Sequence, residues 1–341
     1  RAIMGYTNMS SFNLMHQICG QPYIDTRLSL NSFLPKTLPE KISKKIVNHG
    51  ISQLKLVPQY HDKIEFEISN PSFAFDSNEK ISKRLYKHLT KKEIKIFTNI
   101  LKNFTQDLII ENSPFSLSVV SKKIEYLKDQ YKEFNTSKIK DLPKLIKLCK
   151  DYGTLNFSIA ARHGFVAITF LNSLINTKIL SRAQGEEFEQ SLNTITKKML
   201  FDQYLVGKKK LSVKNFMEKY GHLRPGSYDI TSKRYDQINN FNFNISKDKI
   251  KKTTFKLSII QKKKIDKLLK MNGFKNMNHE TFFKYLGDAI SLREYAKFIF
   301  TKYLSLILEI IANYGNTKEI SRNELSNLNI SNFLNLKSYK N

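Results

Sequence analysis

The sequence predicts a mainly α fold, an irregular helical bundle with one small β element near residues 63–69. Three observations carry that expectation. Apolar residues recur at spacings of three and four along most of the chain, the signature of helices with one buried face. Capping signals stand directly before several of those runs. Strict alternation occurs once, where Ile64, Phe66 and Ile68 interleave with Glu65, Glu67 and Ser69, the period of a half-buried strand closed by Pro71.

Taken in order, the opening segment to about Asn48 is turn-rich, with Gly5, Gly20, Pro22, Pro35 and Pro39 between short apolar runs. After the alternating stretch, Thr90 and Glu93 form the pattern of a capping box. Ile94, Phe97, Leu101, Phe104 and Leu108 then make a single stripe. Ser113-Pro114 starts another helix whose face carries Val120, Ile124, Leu127, Tyr131 and Phe134. Helical periodicity continues through Lys140–Tyr152, Phe157–Ile175, Gly185–Tyr204 and Val213–Tyr220. A loop rich in Asn and Lys spans Asn239–Lys252, Ser258 and Gln261 cap a helix ending at Gly273, and a long helix runs from about Tyr285 to Tyr314. The expected organisation is a turn-rich part over 1–75, a helical domain over 76–320 and a tail over 321–341.

A chain of 341 residues with 40% hydrophobic content can bury a substantial core, in one large domain or two smaller ones. The net charge of +27 calls for acidic partners, unless its lysines are simply spread over solvated helix faces. Lysine far outnumbers arginine, so the arginines, with their forked donors for phosphate and carboxylate, are the more informative cations. Cys19 and Cys149 alone provide neither a disulfide framework nor a zinc site, which fits a reduced, cytoplasmic setting. The first residues, Arg1-Ala2-Ile3-Met4-Gly5, lack the charged and apolar regions of a signal peptide, and the start without Met reads as a segment of a longer protein. The most apolar stretch, Phe298–Ala312, is interrupted by Lys302 and Glu309 and is too short to span a bilayer, so no membrane partner is expected. No Walker-type loop, nucleophile elbow or HExxH occurs, and the histidines show no metal-ligand spacing.

Four segments place reactive residue types together. In Tyr220–Asp229 (YGHLRPGSYD) a helical run stops at Gly221 and Pro225-Gly226 enforces a turn that gathers His222, Arg224 and Asp229. Such a turn suits an anion, with Arg224 as a forked cation and His222 as donor or acid/base. Equally, it suits a structural corner with a capping Asp. In Arg293-Glu294-Tyr295-Ala296-Lys297 the two cations are one helical turn apart, either facing a polyanion or forming an ordinary exposed set with Glu294. Arg162-His163 edges a strongly apolar helix, as a helix-end feature or as a pocket lining. Asp25 and Arg27 form a structural ion pair or bind the two ends of an amino acid.

Together these segments resemble one family, the phosphoenolpyruvate-utilising enzymes that include phosphoenolpyruvate synthase, pyruvate phosphate dikinase and rifampicin phosphotransferase. YGHLRPGSYDITSKRYD is similar to the YGH-RGPGE-D-T-RW stretch of the substrate segment, and REYAKF to the REYPKY helix of rifampicin-type members. PYIDTRLSLNSFLP, HDKIEFEIS and YGTLNFSIAARHGF resemble a subgroup from capsule and surface-polysaccharide loci. Leu223 and Ser227 depart from the family run, so the acid common at the latter position has no counterpart.

The resemblance implies a kinase of the dikinase type in which an ATP-grasp domain charges a histidine on a swivelling domain, and that histidine carries phosphate to the substrate domain. Neither the ATP-grasp glycine loop nor the GG-x-x-SH motif is present, so this chain would be the middle, substrate-binding segment, inactive alone. ATP and Mg2+ would belong to the missing domains, with no cofactor or metal in this segment. The implied substrate is a small molecule, L-glutamine or a similar compound, with pyruvate as a further possibility within the family. Arg293 and Lys297 would neutralise the incoming phosphoryl group, assisted by His222 and Arg224. Arg27, Arg162 and His163 would line the substrate site, with Asp229 or Glu294 for an ammonium group. The competing expectation is a basic helical nucleic-acid-binding protein, which predicts lysines clustered on one face among exposed aromatics. The lysines here are instead scattered, so no nucleic acid is expected.

Overall fold

The computed structural model describes residues 1–19, 21–110, 113–134, 138–246 and 253–334. Helix accounts for 66% of the chain and the described residues contain one two-stranded sheet, so the fold is mainly α with a small β element.

That element lies elsewhere than expected. β1 (Met15–Ile18) and β2 (Gln21–Ile24) pair antiparallel, with Met15 opposite Ile24 and Ile18 opposite Gln21. Every residue of both strands is exposed, so no inside–outside alternation marks them. The alternating stretch Ile64–Ile68 is a single π-helical turn, closed by Ser69 N–H donating to the Ile64 carbonyl at 2.8 Å. With no strand beside it among the described residues, this segment satisfies its backbone internally.

In chain order the helices are α1 (Thr26–Asn31), α2 (Glu40–Leu56), α3 (Ser77–Leu85), α4 (Lys91–Ile109), α5 (Leu117–Gln130), α6 (Leu142–Leu148) and α7 (Leu155–Asn176). They continue with α8 (Arg182–Ser191), α9 (Ile195–Gly207), α10 (Val213–Tyr220), α11 (Ile259–Met271), α12 (His279–Asn316), α13 (Arg322–Leu325) and α14 (Ser331–Leu334). The caps behave as the sequence suggests. Thr90 and Glu93 form a reciprocal box at the start of α4, as do Ser258 and Gln261 at α11. The periodic run 185–204 is split, because Thr194 caps a new helix three residues after α8 ends.

Two compact units interleave along the chain, rather than dividing at residues 75 and 320. Unit 1 comprises Arg1–Ser118, Ala161–Leu192 and Thr253–Ile290; unit 2 comprises Val119–Ala160, Asn193–Lys252 and Ser291–Asn341. Of the expected C-terminal tail and the Asn/Lys loop, residues 335–341 and 247–252 lie outside the described residues.

Unit 1 is built around α3, α4 and the apolar face of α7, with Ile81, Phe97, Leu101, Phe170 and Phe282 fully buried. Phe170 meets Phe282 edge-on at 5.2 Å, and Phe75 lies 5.2 Å from Phe170. In unit 2 the face of α5 predicted from spacing (Val120, Ile124, Leu127) is buried, and Tyr303 of α12 donates to the Leu127 carbonyl at 2.7 Å. A second cluster in that unit has Val206, Phe216 and Tyr220 at its centre, with Phe241, Phe243 and Phe298 against it. The helical stretch 139–176 is long and apolar enough to cross a bilayer by composition. However, 67% of its most apolar window is buried within the fold, as in a core helix.

Candidate functional site

In unit 2 the YGHLRPGSYD turn is anchored to one face of α12. α10 ends at Gly221, where a Cβ would sit 2.9 Å from the Asp236 side chain, so glycine is needed for the returning chain to pass. Tyr235 N–H donates to the Leu223 carbonyl at 2.8 Å, closing the loop on itself. His222 is buried, 4.8 Å from the Phe298 ring, and its Nε2 lies 3.3 Å from the Phe298 carbonyl. A carbonyl only accepts, so Nε2 carries the proton. Burial, reinforced by the nearby Lys302 ammonium, pulls its pKa down to about 3. The imidazole is therefore neutral and serves as a packing and anchoring group.

Arg224 is buried; both of its terminal nitrogens are filled from within the unit, while its buried Nε has no hydrogen-bond partner among the described residues. Nη2 donates to Glu309 Oε1 at 2.9 Å and Ser305 Oγ at 3.0 Å; Nη1 donates to the carbonyls of Ser232 and Asp229 at 3.2 and 3.3 Å. Glu309 also accepts from Arg322 at 2.8 Å and from Gln237 Nε2 at 2.8 Å. Burial alone would raise the Glu309 pKa, but the donors from Arg322, Gln237 and Arg224 hold it below the usual carboxylate range. The expected anion-binding arginine is thus the tie between the turn and α12. Asp229 is exposed and folds back to accept from Thr231 N–H and Oγ at 2.8 and 2.7 Å, which lowers its pKa and makes it the corner's capping residue.

Arg293 and Lys297 are both exposed, one turn apart on α12. Glu294 does not bridge to Lys297 but accepts from Thr196 Oγ at 2.9 Å. Lys302, two turns below Glu294, is half-buried with its ammonium 4.4 Å from the centre of the Tyr131 ring.

In unit 1, Arg27 is exposed and donates to Asn48 Oδ1 at 2.9 Å. Asp25 caps α1 by accepting from Leu28 N–H at 2.8 Å, so the anticipated Asp25–Arg27 pair is not formed. His163 is buried with both nitrogens in use: Nε2–H donates to the Phe115 carbonyl at 2.9 Å and Nδ1 accepts from the Tyr285 hydroxyl at 3.0 Å. Burial lowers its pKa to about 4.

Arg162 is the candidate with a buried terminal guanidinium nitrogen left over: Arg224 lacks a partner only at Nε and His222 only at Nδ1 among the described residues. Arg162 is 7% exposed, and its guanidinium lies 4.7 Å from the ring centres of both Phe33 and Phe165. Its nearest carboxylate, Glu65 Oε1, is 3.8 Å from Nη2, and Nη1 is buried with no hydrogen-bond partner among the described residues. A second guanidinium, that of Arg1, lies over the same Phe33 ring at 4.2 Å. Burial, then repulsion from Arg1, brings the Arg162 pKa down to about 10. The residue remains charged near neutral pH in a place that supplies it too few acceptors. Glu65 keeps 23% of its side chain exposed and forms the solvent side of this pair.

No family model matches this chain. Comparisons with curated proteins and with solved structures likewise return no match. The candidate residues stand on geometry alone.

That geometry separates them by unit: Arg27, Arg162 and His163 lie in unit 1, and His222, Arg224, Asp229, Arg293, Glu294 and Lys297 in unit 2. Among the described residues no group of three or more His, Cys, Asp or Glu side chains is arranged for a metal ion. Sequence reasoning missed Glu309, Arg322 and Glu65. Glu309 did carry a signal, since an acid inside the apolar run Phe298–Ala312 must find a cation if it is buried. Glu65 carried none, because the alternating pattern placed it on the wet face of a strand.

Proposed function

We propose that this chain is the substrate-binding segment of an ATP-dependent phosphotransferase of the phosphoenolpyruvate-utilising type. Its substrate would be a small amino acid, with L-glutamine the first candidate. The whole reaction would convert ATP, L-glutamine and water to L-glutamine phosphate, AMP and phosphate. The resemblance of YGHLRPGSYD and REYAKF to that family supports the reading at the level of sequence. ATP, Mg2+ and the carrier histidine would reside on domains beyond this segment, in a cytoplasmic enzyme. None of the residues here is assigned to them.

The observation that carries the reading is the Arg162–Glu65 pair. An α-amino acid presents a carboxylate and an ammonium about one residue's width apart. A buried guanidinium with an unused Nη1 would take the carboxylate, and Glu65, held just beyond hydrogen-bonding distance, would take the ammonium. Phe33 and Phe165 would exclude water from the guanidinium's contact, which strengthens it. His163 would act through position, tying Phe115 and Tyr285 to the residue that follows Arg162. Within unit 2, Arg293 and Lys297, exposed one turn apart, are the cations that the resemblance assigns to a phosphoryl group, and His222 and Arg224 anchor the YGHLRPGSYD turn to α12. Arg27 and Asp229, both exposed and locally bonded, contribute less to this reading.

A thermal-shift screen of the chain with amino acids, pyruvate and sugar phosphates tests it. The expected result is stabilisation by L-glutamine that disappears in Arg162→Met. Stabilisation by pyruvate with no response to any amino acid overturns it. The net charge of +27 favours a second reading, nucleic-acid binding, for which steep salt-dependent affinity for any DNA sequence is the signature.

A further inference from the structure

We propose that a cleft on α4 of unit 1 is a second binding site, for a small organic anion whose charge lies on a carboxylate or phosphate. Its volume is about 200 Å³. That is below the roughly 300–1,000 Å³ of sites for larger ligands, so the occupant is a compact molecule.

One face of α4 builds the cleft. Lys95, Thr98, Asn99 and Lys102 recur at i, i+3, i+4 and i+7 and all line it. No acidic side chain is among the lining residues, so the two lysines meet no competing carboxylate in the lining. Thr98 provides an independent indication of a ligand. It is 8% exposed, and its Oγ1 is buried with no hydrogen-bond partner among the described residues. Two turns along the same helix, Thr105 is also buried, yet its Oγ1 accepts from Phe73 N–H at 2.8 Å. A buried hydroxyl left unpaired costs roughly 1–3 kcal/mol. A polar group entering the cleft would remove that cost at Thr98.

The opposite walls are fixed in place. The backbone of Phe73 is tied to Thr105 as described and Phe75 N–H donates to Ser173 Oγ at 3.1 Å, while the Phe73 ring stacks on Phe274 and the Phe75 ring packs on Phe170 and Phe282, so both form an apolar floor. Asn272 is drawn to α4 because its carbonyl accepts from Gln106 Nε2 at 2.8 Å. The following Gly273 adopts φ +83°, and a Cβ there would lie 2.7 Å from that same Nε2. Preformed walls, an aromatic floor, a buried unpaired hydroxyl and two unopposed lysines make a receptor for an acidic molecule with an apolar body. This site is separate in residues from Arg162 and does not depend on the amino-acid reading.

Methyl-labelled threonine NMR of the whole chain tests the inference, with inorganic phosphate and succinate as probes and glycerol as the neutral control. Sodium chloride is matched for ionic strength throughout. The expected result is a saturable shift of the Thr98 methyl with one or both anions and none with glycerol or salt. Response to phosphate alone or succinate alone identifies the acid group preferred. The Lys95→Ala/Lys102→Ala double variant should lose the saturable shift, while Arg162→Met should retain it. Absence of a saturable shift with both anions, an equal shift with sodium chloride, or an unchanged shift in the double lysine variant overturns the proposal.

Discussion

Arg224 in unit 2 and Arg162 in unit 1 are both buried arginines, and both were candidates from sequence for holding an anion. Arg224 finds a carboxylate, a hydroxyl and two carbonyls within 3.3 Å. Arg162 finds two aromatic faces, one carboxylate at 3.8 Å, and nothing for Nη1. A guanidinium whose two terminal nitrogens are filled by its own chain, with only the buried Nε left over, works as a tie. One that is desolvated but underserved retains capacity for a ligand. The same residue type, equally buried, thus has opposite meanings according to its acceptors, which only long-range contacts reveal.

The largest effect should come from removing the acceptor that distinguishes the two sites. Glu309→Ala leaves Arg224 and Arg322 without their shared carboxylate, and losing one partner of a buried pair costs about 3–5 kcal/mol. Urea denaturation of the variant should show that loss as a lower midpoint at unchanged slope. A change below about 1 kcal/mol would mean that Arg224 is not a structural tie, and the contrast with Arg162 would collapse.

Acid should affect both regions alike, because each has a buried neutral histidine. His163 is held to about 4 and His222 to about 3, in both cases chiefly by burial. A histidine whose folded pKa lies below its unfolded value binds protons more readily when unfolded, so acid favours unfolding. Above about pH 6.5 neither matters; stability falls as the pH drops from there towards the folded values. By pH 5 the loss should reach about 2 kcal/mol for each histidine, roughly 4 kcal/mol together. Denaturant titrations at pH 7 and pH 5 should show this difference in the native chain, and about half of it in His163→Gln or His222→Gln. Equal pH sensitivity in all three proteins would show that these imidazoles are not buried as described.

What was legible in the sequence follows the range of the forces involved. Local signals held: the boxes at Thr90–Glu93 and Ser258–Gln261 close as their spacing requires, and α10 spans the predicted Val213–Tyr220. The alternation at Ile64–Ile68 misled because strand geometry needs a neighbour, and five residues cannot show whether one exists. The pairing of Met15–Ile18 with Gln21–Ile24 was invisible because every residue of the two strands is exposed and its stability depends on backbone pairing. At the candidate site, Gly221 and Pro225-Gly226 marked the turn, while the partner of Arg224 stands 85 positions away, beyond any local pattern. Arg162 was visible as a cation beside an apolar run; that it lacks acceptors was not.

Arg162→Met gives the smallest change in stability and decides most about the comparison. Methionine keeps an unbranched apolar stem there, shorter than the arginine, while removing a charge that the fold does not satisfy. Replacing poorly served buried charges with apolar groups is commonly neutral or stabilising, so a gain of about 1 kcal/mol is expected. The same change at Arg224 should instead destabilise, because Glu309, Ser305 and two carbonyls each lose a donor. Side-by-side denaturation of the two variants therefore yields effects of opposite sign if the acceptor inventory sets the role of each arginine. A stabilised Arg162→Met that no longer responds to L-glutamine would show a position kept costly to the fold for the sake of its ligand. Destabilisation equal to that at Arg224 would make Arg162 a second structural tie, with Glu65 as its true partner.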